Sequence, residues 1–308
     1  MSALLNMHFT HIVVTAPHEA VCKVYERHLT ALKSQIEWLE NSEILCISDP
    51  AGKRIGSGGG TLNAIKTVER KYSKAVLKTG KVAIIHSGGD SQRSPLHSVC
   101  GKAWASINTS LMPCPTSDGP SSSGYATAFT LILSQLNSIC SIMHPGTVLV
   151  SCSDVILHLS MIAVEHNKDT LMLPSDCVCA VAIPELFQVA KNHGVFQLAS
   201  EANEISLGIQ LGTNTGVHVA HVYEYFQKPG LADLQKCRYD ACAVKTIRSN
   251  SATTLSVKGE TALIDSGIIM FQGLALEVLL IVGCFIDSVV VSAVLIHMFS
   301  LGYCGHFG

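Results

Sequence analysis

The sequence predicts an α/β protein in which a sheet is flanked by helices. Apolar runs of strand length alternate with longer segments of helical spacing, and glycine-rich segments follow two of the runs. This alternation is typical of βαβ units. With 308 residues, 48% hydrophobic and only 14% charged, the chain has enough apolar material for one or two cores and too little charge for a disordered protein.

The first 85 residues show the alternation most clearly. In chain order the predictions are a strand at 8–15, a helix at 17–40 with Pro17 in its first turn, a strand from Ile44 to Ile47, a glycine-rich loop at 49–60, a helix at 61–74 and a strand from Lys81 to Ile85. A second glycine-rich loop begins at His86. The two loops therefore each follow a predicted strand.

The remaining elements are predicted from shorter patterns. A turn-rich segment at 113–124 precedes a helix at 125–143. Strands are predicted at 147–151, 178–183, 194–198, 216–226 and 263–271. We find no internal repeat and no long low-complexity linker, so the pattern favours one α/β domain.

Charge and cysteine content narrow the function classes. Twenty-one basic and 23 acidic residues leave a net charge of -2, which provides no basic field for a polyanion, so we expect no nucleic-acid partner. The 12 cysteines are scattered without any CxxC pair, which is typical of buried thiols in a reducing compartment. The first residues lack the pattern of a secretory signal, so we predict a cytoplasmic protein.

The C-terminal segment leaves two interpretations open. Residues 278–297 are apolar except for Asp287, and about 20 such residues could cross a bilayer as a helix. An aspartate near the centre of a spanning helix is costly, and the valine-rich part is equally compatible with a buried strand. We expect a core segment more than a membrane span.

The two glycine-rich loops suggest phosphate binding, because glycine lets backbone N–H groups approach an anion. Neither loop completes a GxGxxG or GxxxxGK[ST] pattern, so tight turns remain an alternative. The second loop adds Arg93 and Lys102, which would place two cations near it. Nucleotidyl transfer needs such cations to stabilise the departing pyrophosphate, although a solvated basic loop is the alternative.

Six segments, in order, resemble the L-fucokinase/GDP-L-fucose pyrophosphorylase family. They are GSGGGTLNAI at 56–65, HSGGDSQRSPLHSVCGK at 86–102, VSCSDVILHL at 150–159, KNHGVFQL at 191–198, VYEYFQKP at 222–229 and DSGIIMF at 265–271. The resemblance implies a nucleotide-diphospho-sugar transferase-like, Rossmann-like fold. It also implies transfer of a guanylyl group from GTP to L-fucose 1-phosphate.

The resemblance also implies roles for individual residues. We expect catalytic cations at Arg93, Lys102 and Lys228; nucleotide binding at Gly56, Gly58, Gly59, Asn63, Gly88 and Gly89; sugar binding at Asn192, His193, Gly194, Ser266 and Gly267; and Mg²⁺ at Asp154. Asp154 could instead cap a helix and Lys228 could be a solvated turn residue before Pro229. His193 suits a structural role better than a catalytic one.

The chain departs from the family pattern after Phe271. We predict a nucleotidyltransferase-like domain at 1–271 and an atypical, hydrophobic tail at 272–308 that is truncated relative to the family. No kinase glycine motif follows, so we expect no fucokinase activity. Two other functions stay open: a non-catalytic pyrophosphorylase-like module and a membrane-associated binding protein.

Overall fold

A computed structural model describes residues 8–50, 53–87, 102–108, 125–153, 155, 176–199, 222–239 and 260–285. These residues form two compact units. The first takes in the described residues up to 155, with 176–177 and those from 267 onward, and the second takes in the described residues from 178 to 266. The predicted boundary between a domain at 1–271 and a tail stays a prediction.

The first unit is built on parallel strands. They are β1 at His11–Ala16, β2 at Glu43–Ser48, β3 at Lys81–His86 and β6 at Thr147–Cys152, in the order β2-β1-β3-β6. Val13 pairs with Leu45 on one side and with Ile84 on the other. Strand β3 is buried along almost its whole length, as the continuous apolar run of a central parallel strand predicts.

An antiparallel strand completes this part of the sheet. Strand β10, Thr261–Gln272, pairs with β6 through Ile269 to Gln272. A separate two-stranded sheet pairs β4 at Ser106–Asn108 antiparallel with β5 at Tyr125–Thr127. The mixed sheet with its flanking helices confirms the predicted α/β class.

Helix α1, Glu19–Lys33, packs through Cys22, Tyr25 and Leu29. The predicted helix at 17–40 was too long. The chain leaves the helix at Ser34 and reaches its next fully buried residue, Leu39, through a short 3₁₀ turn. The Lys33 ammonium donates to the Ser42 carbonyl at 2.8 Å, which fixes the turn that leads into β2.

Helix α2, Gly56–Tyr72, begins inside the segment predicted as a loop at 49–60. That prediction was wrong for its last five residues because the glycines are needed for close packing. A Cβ on Gly59 would lie 2.9 Å from Ile55 Cβ, and one on Gly60 would lie 3.2 Å from His86 Cε1. Helix α3, Lys74–Thr79, follows after a break at Ser73, whose φ is 88°.

Two more helices belong to the first unit. Helix α4 spans Ala128–Cys140, and Thr127 caps it through a reciprocal hydrogen-bonding box with Thr130. The prediction of a helix from residue 125 was therefore wrong for its first three residues, which form β5. After the later elements of the second unit, helix α7 spans Gly273–Phe285, where the apolar 278–297 window begins.

The second unit contains the remaining strands and two short helices. In chain order these are β7 at Val178–Leu186, α5 at Phe187–Ala190, β8 at Gly194–Leu198, β9 at Val222–Gln227, α6 at Leu231–Lys236 and the first half of β10. Strand β8 pairs antiparallel with β9 and with β10. A small core gathers Phe187, Ala190, Val195, Leu234, Cys237, Ala262 and Ile264.

The C-terminal apolar window is described only up to residue 285. Within the described ranges, no helix combines the length and apolarity required to cross a bilayer. Residues 286–297 of the predicted span, and residues 216–221 of the predicted strand at 216–226, lie outside the described residues.

Candidate functional site

The carboxyl ends of β1, β2, β3 and β6 come together at one edge of the parallel sheet. The backbone N–H of Ser153, just beyond β6, donates to the His86 carbonyl at 2.8 Å. The N–H of Asp49, just beyond β2, donates to the Ala16 carbonyl at 3.1 Å. Open α/β sheets bind ligands at this edge, so the structure places the first glycine-rich segment, at the start of the helix Gly56–Tyr72, where a ligand is expected.

The glycine-rich start of α2 faces this edge. Gly56 has a φ of +71°, which favours glycine, and the preceding N-cap residue Ile55 has no side-chain oxygen to accept hydrogen bonds from the first turn. Gly58 and Gly59 are buried, whereas Gly56 is exposed. A helix start with uncapped N–H groups is suited to an anion, which is the role predicted for these glycines.

His86 joins this helix start to the sheet. Its Nε2 lies 2.9 Å from Thr61 Oγ1, and its Nδ1 lies 3.1 Å from Thr15 Oγ1. The Thr61 hydroxyl already donates its hydrogen to the Ser57 carbonyl at 2.9 Å, so it accepts from His86 Nε2–H. Nδ1 is then the acceptor for the Thr15 hydroxyl, and one neutral tautomer satisfies all three groups.

Burial keeps this imidazole neutral. Loss of solvent lowers the pKa of His86 to about 4, well below the usual value for histidine. His86 was not among the predicted site residues, although it opens the HSGGDSQR segment. Its importance depends on two threonines that are distant in sequence, so no local pattern could reveal it.

Asn63, predicted to bind nucleotide, has a structural contact. Its Nδ2 donates to the Ser48 carbonyl at 3.3 Å, which ties α2 to the end of β2. At the same end of β2, burial raises the pKa of Asp49. The hydrogen bond that its carboxylate accepts from the Ile55 N–H acts in the opposite direction but has the smaller effect. The nucleotide role of Asn63 stays a prediction.

Lys102 opens a short 3₁₀ turn, Lys102–Trp104, in the first unit. Trp104 holds this turn in place: its ring centroid lies 5.4 Å from that of Tyr25, 4.9 Å from that of His28 and 4.9 Å from that of Phe129. Lys102 itself is half-buried. The turn is therefore anchored by the aromatic packing of Trp104.

Four predicted site residues lie outside the described residues. They are Gly88, Gly89, Arg93 and Asp154. In the part of the chain that is described, no three histidine, cysteine, aspartate or glutamate side chains gather as a metal site would require. The Mg²⁺ prediction at Asp154 therefore stays a prediction.

In the second unit, the structure brings Lys228 next to the predicted sugar loop. The Lys228 N–H donates to the His193 carbonyl at 2.9 Å, and Gly194 pairs with Gln227 across β8 and β9. Lys228 has a φ of +50°, an uncommon conformation for a residue with a Cβ. The loop at 192–194 and the turn at Lys228 are thus one local arrangement.

Tyr225 and Asp265 adjoin this arrangement and were missed by the sequence analysis. The Tyr225 ring lies over Gly194, where a Cβ would come within 2.5 Å of its Cζ. The phenol donates to Gln227 Oε1 at 2.7 Å and lies 3.4 Å from Asp265 Oδ2. Burial, together with the Asp265 carboxylate, raises the pKa of Tyr225 to about 12, so the phenol stays protonated.

Ser266 and Gly267, the other predicted sugar residues, lie in the middle of β10. Ser266 is buried, and Gly267 has a φ of +75°. A Cβ on Gly267 would lie 3.6 Å from Cys152 Sγ, so this glycine adjoins the carboxyl end of β6. Its backbone conformation gives a structural reason for glycine, and its sugar-binding role stays a prediction.

Replacing Gly194 with alanine should lower the free energy of unfolding by about 1–3 kcal/mol, because the new methyl group displaces the Tyr225 ring. Chemical denaturation measures this change. Gly230→Ala is the matched control, since nothing lies within 4 Å of its Cβ position and stability should barely change. Equal stability of the two variants would show that Tyr225 does not cover Gly194.

A family model described as the fucose pyrophosphorylase domain matches residues 74–295. The chain is 26% identical to a bifunctional fucokinase/GDP-fucose pyrophosphorylase of Arabidopsis thaliana over 89% of its own length. It is 27% identical to a fucose-1-phosphate guanylyltransferase of Mus musculus over 73% of its length, and 28% identical to the Homo sapiens protein of the same name over 61%.

These alignments cover only part of each relative. They take in 24% of the Arabidopsis protein, 34% of the mouse protein and 28% of the human protein. The chain therefore spans about a quarter to a third of the length of the curated relatives it matches.

Proposed function

We propose, since this chain belongs to the fucose pyrophosphorylase family, that it is a sugar-1-phosphate nucleotidyltransferase that converts GTP and L-fucose 1-phosphate into GDP-L-fucose and pyrophosphate. The observation that carries the proposal is the uncapped, glycine-rich start of α2 at the carboxyl ends of β1 and β3. Such an arrangement is suited to binding the phosphates of a nucleotide.

The proposed reaction is one displacement at the α-phosphorus of GTP. An oxygen of fucose 1-phosphate forms a bond to this phosphorus as the bond to the bridging oxygen of pyrophosphate breaks. The nucleophile is already anionic, so no general base is needed. Catalysis then depends on orientation and on cations that offset the charge developing on pyrophosphate.

We assign each predicted catalytic cation to one of the two substrates. Lys102 and Arg93 would stabilise the triphosphate, and Lys228 would bind the sugar phosphate beside the 192–194 loop. The phenol of Tyr225 lies against Gly194, and the carboxylate of Asp265 lies 3.4 Å from that phenol; both would hydrogen-bond sugar hydroxyls on that side. This assignment gives a common role to Lys228, Tyr225 and Asp265, which all belong to the surroundings of the 192–194 loop.

Asp154 is the proposed Mg²⁺ ligand. The preceding Ser153 is fully buried, and its Oγ has no hydrogen-bond partner among the described residues. The Ser153 hydroxyl would add one oxygen beside the Asp154 carboxylate, and Mg²⁺ prefers oxygen ligands. When bound, the ion would neutralise charge on the phosphates.

A pyrophosphate-release screen tests the proposed reaction. The four nucleoside triphosphates are crossed with several sugar 1-phosphates in the presence of Mg²⁺. We expect the highest kcat/KM for GTP with L-fucose 1-phosphate. Preference for another pair would contradict the substrate assignment, and no release with any pair would contradict catalysis by this chain and favour the binding-module alternative.

Replacing Lys228 with alanine should raise the KM for the sugar phosphate about tenfold to a hundredfold, because a charge-assisted contact is lost. The KM for GTP should hardly change. The substitution adds no backbone strain, since lysine and alanine both carry a Cβ at this positive φ. Lys191→Ala, which removes the exposed lysine that directly precedes the 192–194 loop, is the control. An equal KM shift in both variants would contradict the specific role.

A further inference from the structure

Two cysteine thiols lie against each other in the first unit, and the proposed reaction uses neither. Cys22 on α1 and Cys46 on β2 place their sulfur atoms 3.1 Å apart. Both residues are buried, with 3% and 9% of their surface exposed. They were grouped in the sequence analysis with scattered structural cysteines, because 23 residues separate them in the sequence.

This geometry needs little movement to become a covalent bond. A disulfide has sulfur atoms about 2.05 Å apart, so the two atoms need to approach by about 1 Å. The side chains come from two elements that already pack together, a helix and the strand that follows it. Rotation of the two side chains can supply the approach without separating α1 from β2.

The thiols also differ in ionisation. The Cys46 S–H donates to Cys22 Sγ, and this hydrogen bond lowers the pKa of Cys22 while it raises the pKa of Cys46. Burial and the neighbouring Glu19 and Glu26 carboxylates act against the lowering at Cys22. Cys22 is therefore the thiol that ionises first. Cys46 is the resolving cysteine, which attacks Cys22 once Cys22 has been oxidised.

We propose that Cys22 and Cys46 form a reversible, redox-sensitive disulfide when the protein meets a small peroxide. The Cys22 thiolate attacks a peroxide oxygen and becomes a sulfenic acid as the peroxide O–O bond breaks. The Cys46 sulfur then attacks the Cys22 sulfur, and its thiol proton leaves with the departing hydroxyl as water. Two thiols are oxidised and one peroxide is reduced to two waters, or to water and an alcohol for an organic peroxide.

The cross-link would restrict α1, which contacts the turn that contains Lys102. Tyr25 and His28, on the next turns of α1, contact Trp104 in the Lys102–Trp104 turn. A bond between Cys22 and Cys46 would fix α1 on β2 and so restrict this turn. The disulfide itself does not depend on the proposed reaction, so the two proposals are tested separately.

Peptide mapping of the full chain tests the disulfide. Reduced protein is treated with graded hydrogen peroxide, denatured in N-ethylmaleimide and digested with trypsin. Cleavage after Lys23, Lys33 and Lys53 places Cys22 in the peptide 1–23 and Cys46 in the peptide 34–53. We expect these two peptides to be linked, to separate on adding dithiothreitol, and to exceed any other cysteine pairing about tenfold.

Thermal unfolding and matched variants complete the test. Oxidation should raise the Tm of the wild-type protein, because the bond restricts the unfolded chain, and should not raise that of Cys46→Ser or Cys22→Ser. Cys140→Ser is the control, since burial raises the pKa of this thiol to about 12 and its loss should leave the cross-link intact. Recovery of Cys22 and Cys46 as maleimide adducts or as separate oxidised acids, without linked peptides, would overturn the proposal.

Discussion

Replacing Lys102 with alanine should lower kcat/KM for pyrophosphate release by about a hundredfold to a thousandfold, because it removes a fixed cation from the developing charge on the leaving group. The Tm should change little, since Ala103 and Trp104, both buried, hold the turn in place. Steady-state pyrophosphate release and thermal unfolding measure the two effects.

Two further variants separate charge from position. Lys102→Arg keeps the positive charge and should recover part of the lost activity, although its planar fork contacts phosphates differently. Lys74→Ala removes an exposed lysine of α3 and should leave kcat/KM unchanged. Full activity in Lys102→Ala would remove the role assigned to this lysine and leave the turn as a structural feature.

Replacing His86 with alanine should lower the free energy of unfolding by about 2–4 kcal/mol, because the Thr15 hydroxyl and the Thr61 hydroxyl lose their buried partner and a cavity forms. The start of α2 should also lose its fixed position, so nucleotide binding should weaken. Denaturation and titration with a fluorescent GTP analogue measure these effects. Unchanged stability would contradict the bridging role of His86.

The same residue predicts a dependence of stability on pH. The folded pKa of His86, about 4, lies below the unfolded value of about 6.5, so the unfolded chain binds the proton more readily. The contribution of neutral His86 to the free energy of unfolding is about 3 kcal/mol. It is present above pH 6.5 and is lost as the pH falls from 6.5 to 4. His86→Asn should flatten this part of the stability profile. Parallel profiles for the wild type and the variant would contradict it.

The strands were the part of the fold that the sequence predicted best. The predicted strand at 194–198 coincides with β8, and the prediction from Lys81 to Ile85 is one residue shorter than β3. Runs of valine and isoleucine bounded by polar residues and glycine give strands a strong local signal. The helix at 17–40 was extended too far because no glycine or proline marks its end at Lys33.

The glycines of 56–60 show the opposite case. Glycine usually weakens a helix, so the pattern favoured a loop, whereas contact with Ile55 and His86 explains why glycine opens α2. The same dependence on distant partners hid His86, Tyr225 and Asp265 from sequence reasoning. The residues themselves were visible in the matched segments, but the contacts that define their roles are made only in the folded chain.

Hydrogen exchange of the full chain with and without GTP and Mg²⁺ tests most directly whether the start of α2 and the adjoining sheet edge bind the nucleotide phosphates. The account predicts slower exchange in peptides covering Gly56–Asn63 and the end of β3 at His86, and a smaller effect in the 222–229 segment. Adding L-fucose 1-phosphate should then slow exchange at 192–198. Protection by GTP that leaves Gly56–Asn63 and His86 unchanged would contradict the account.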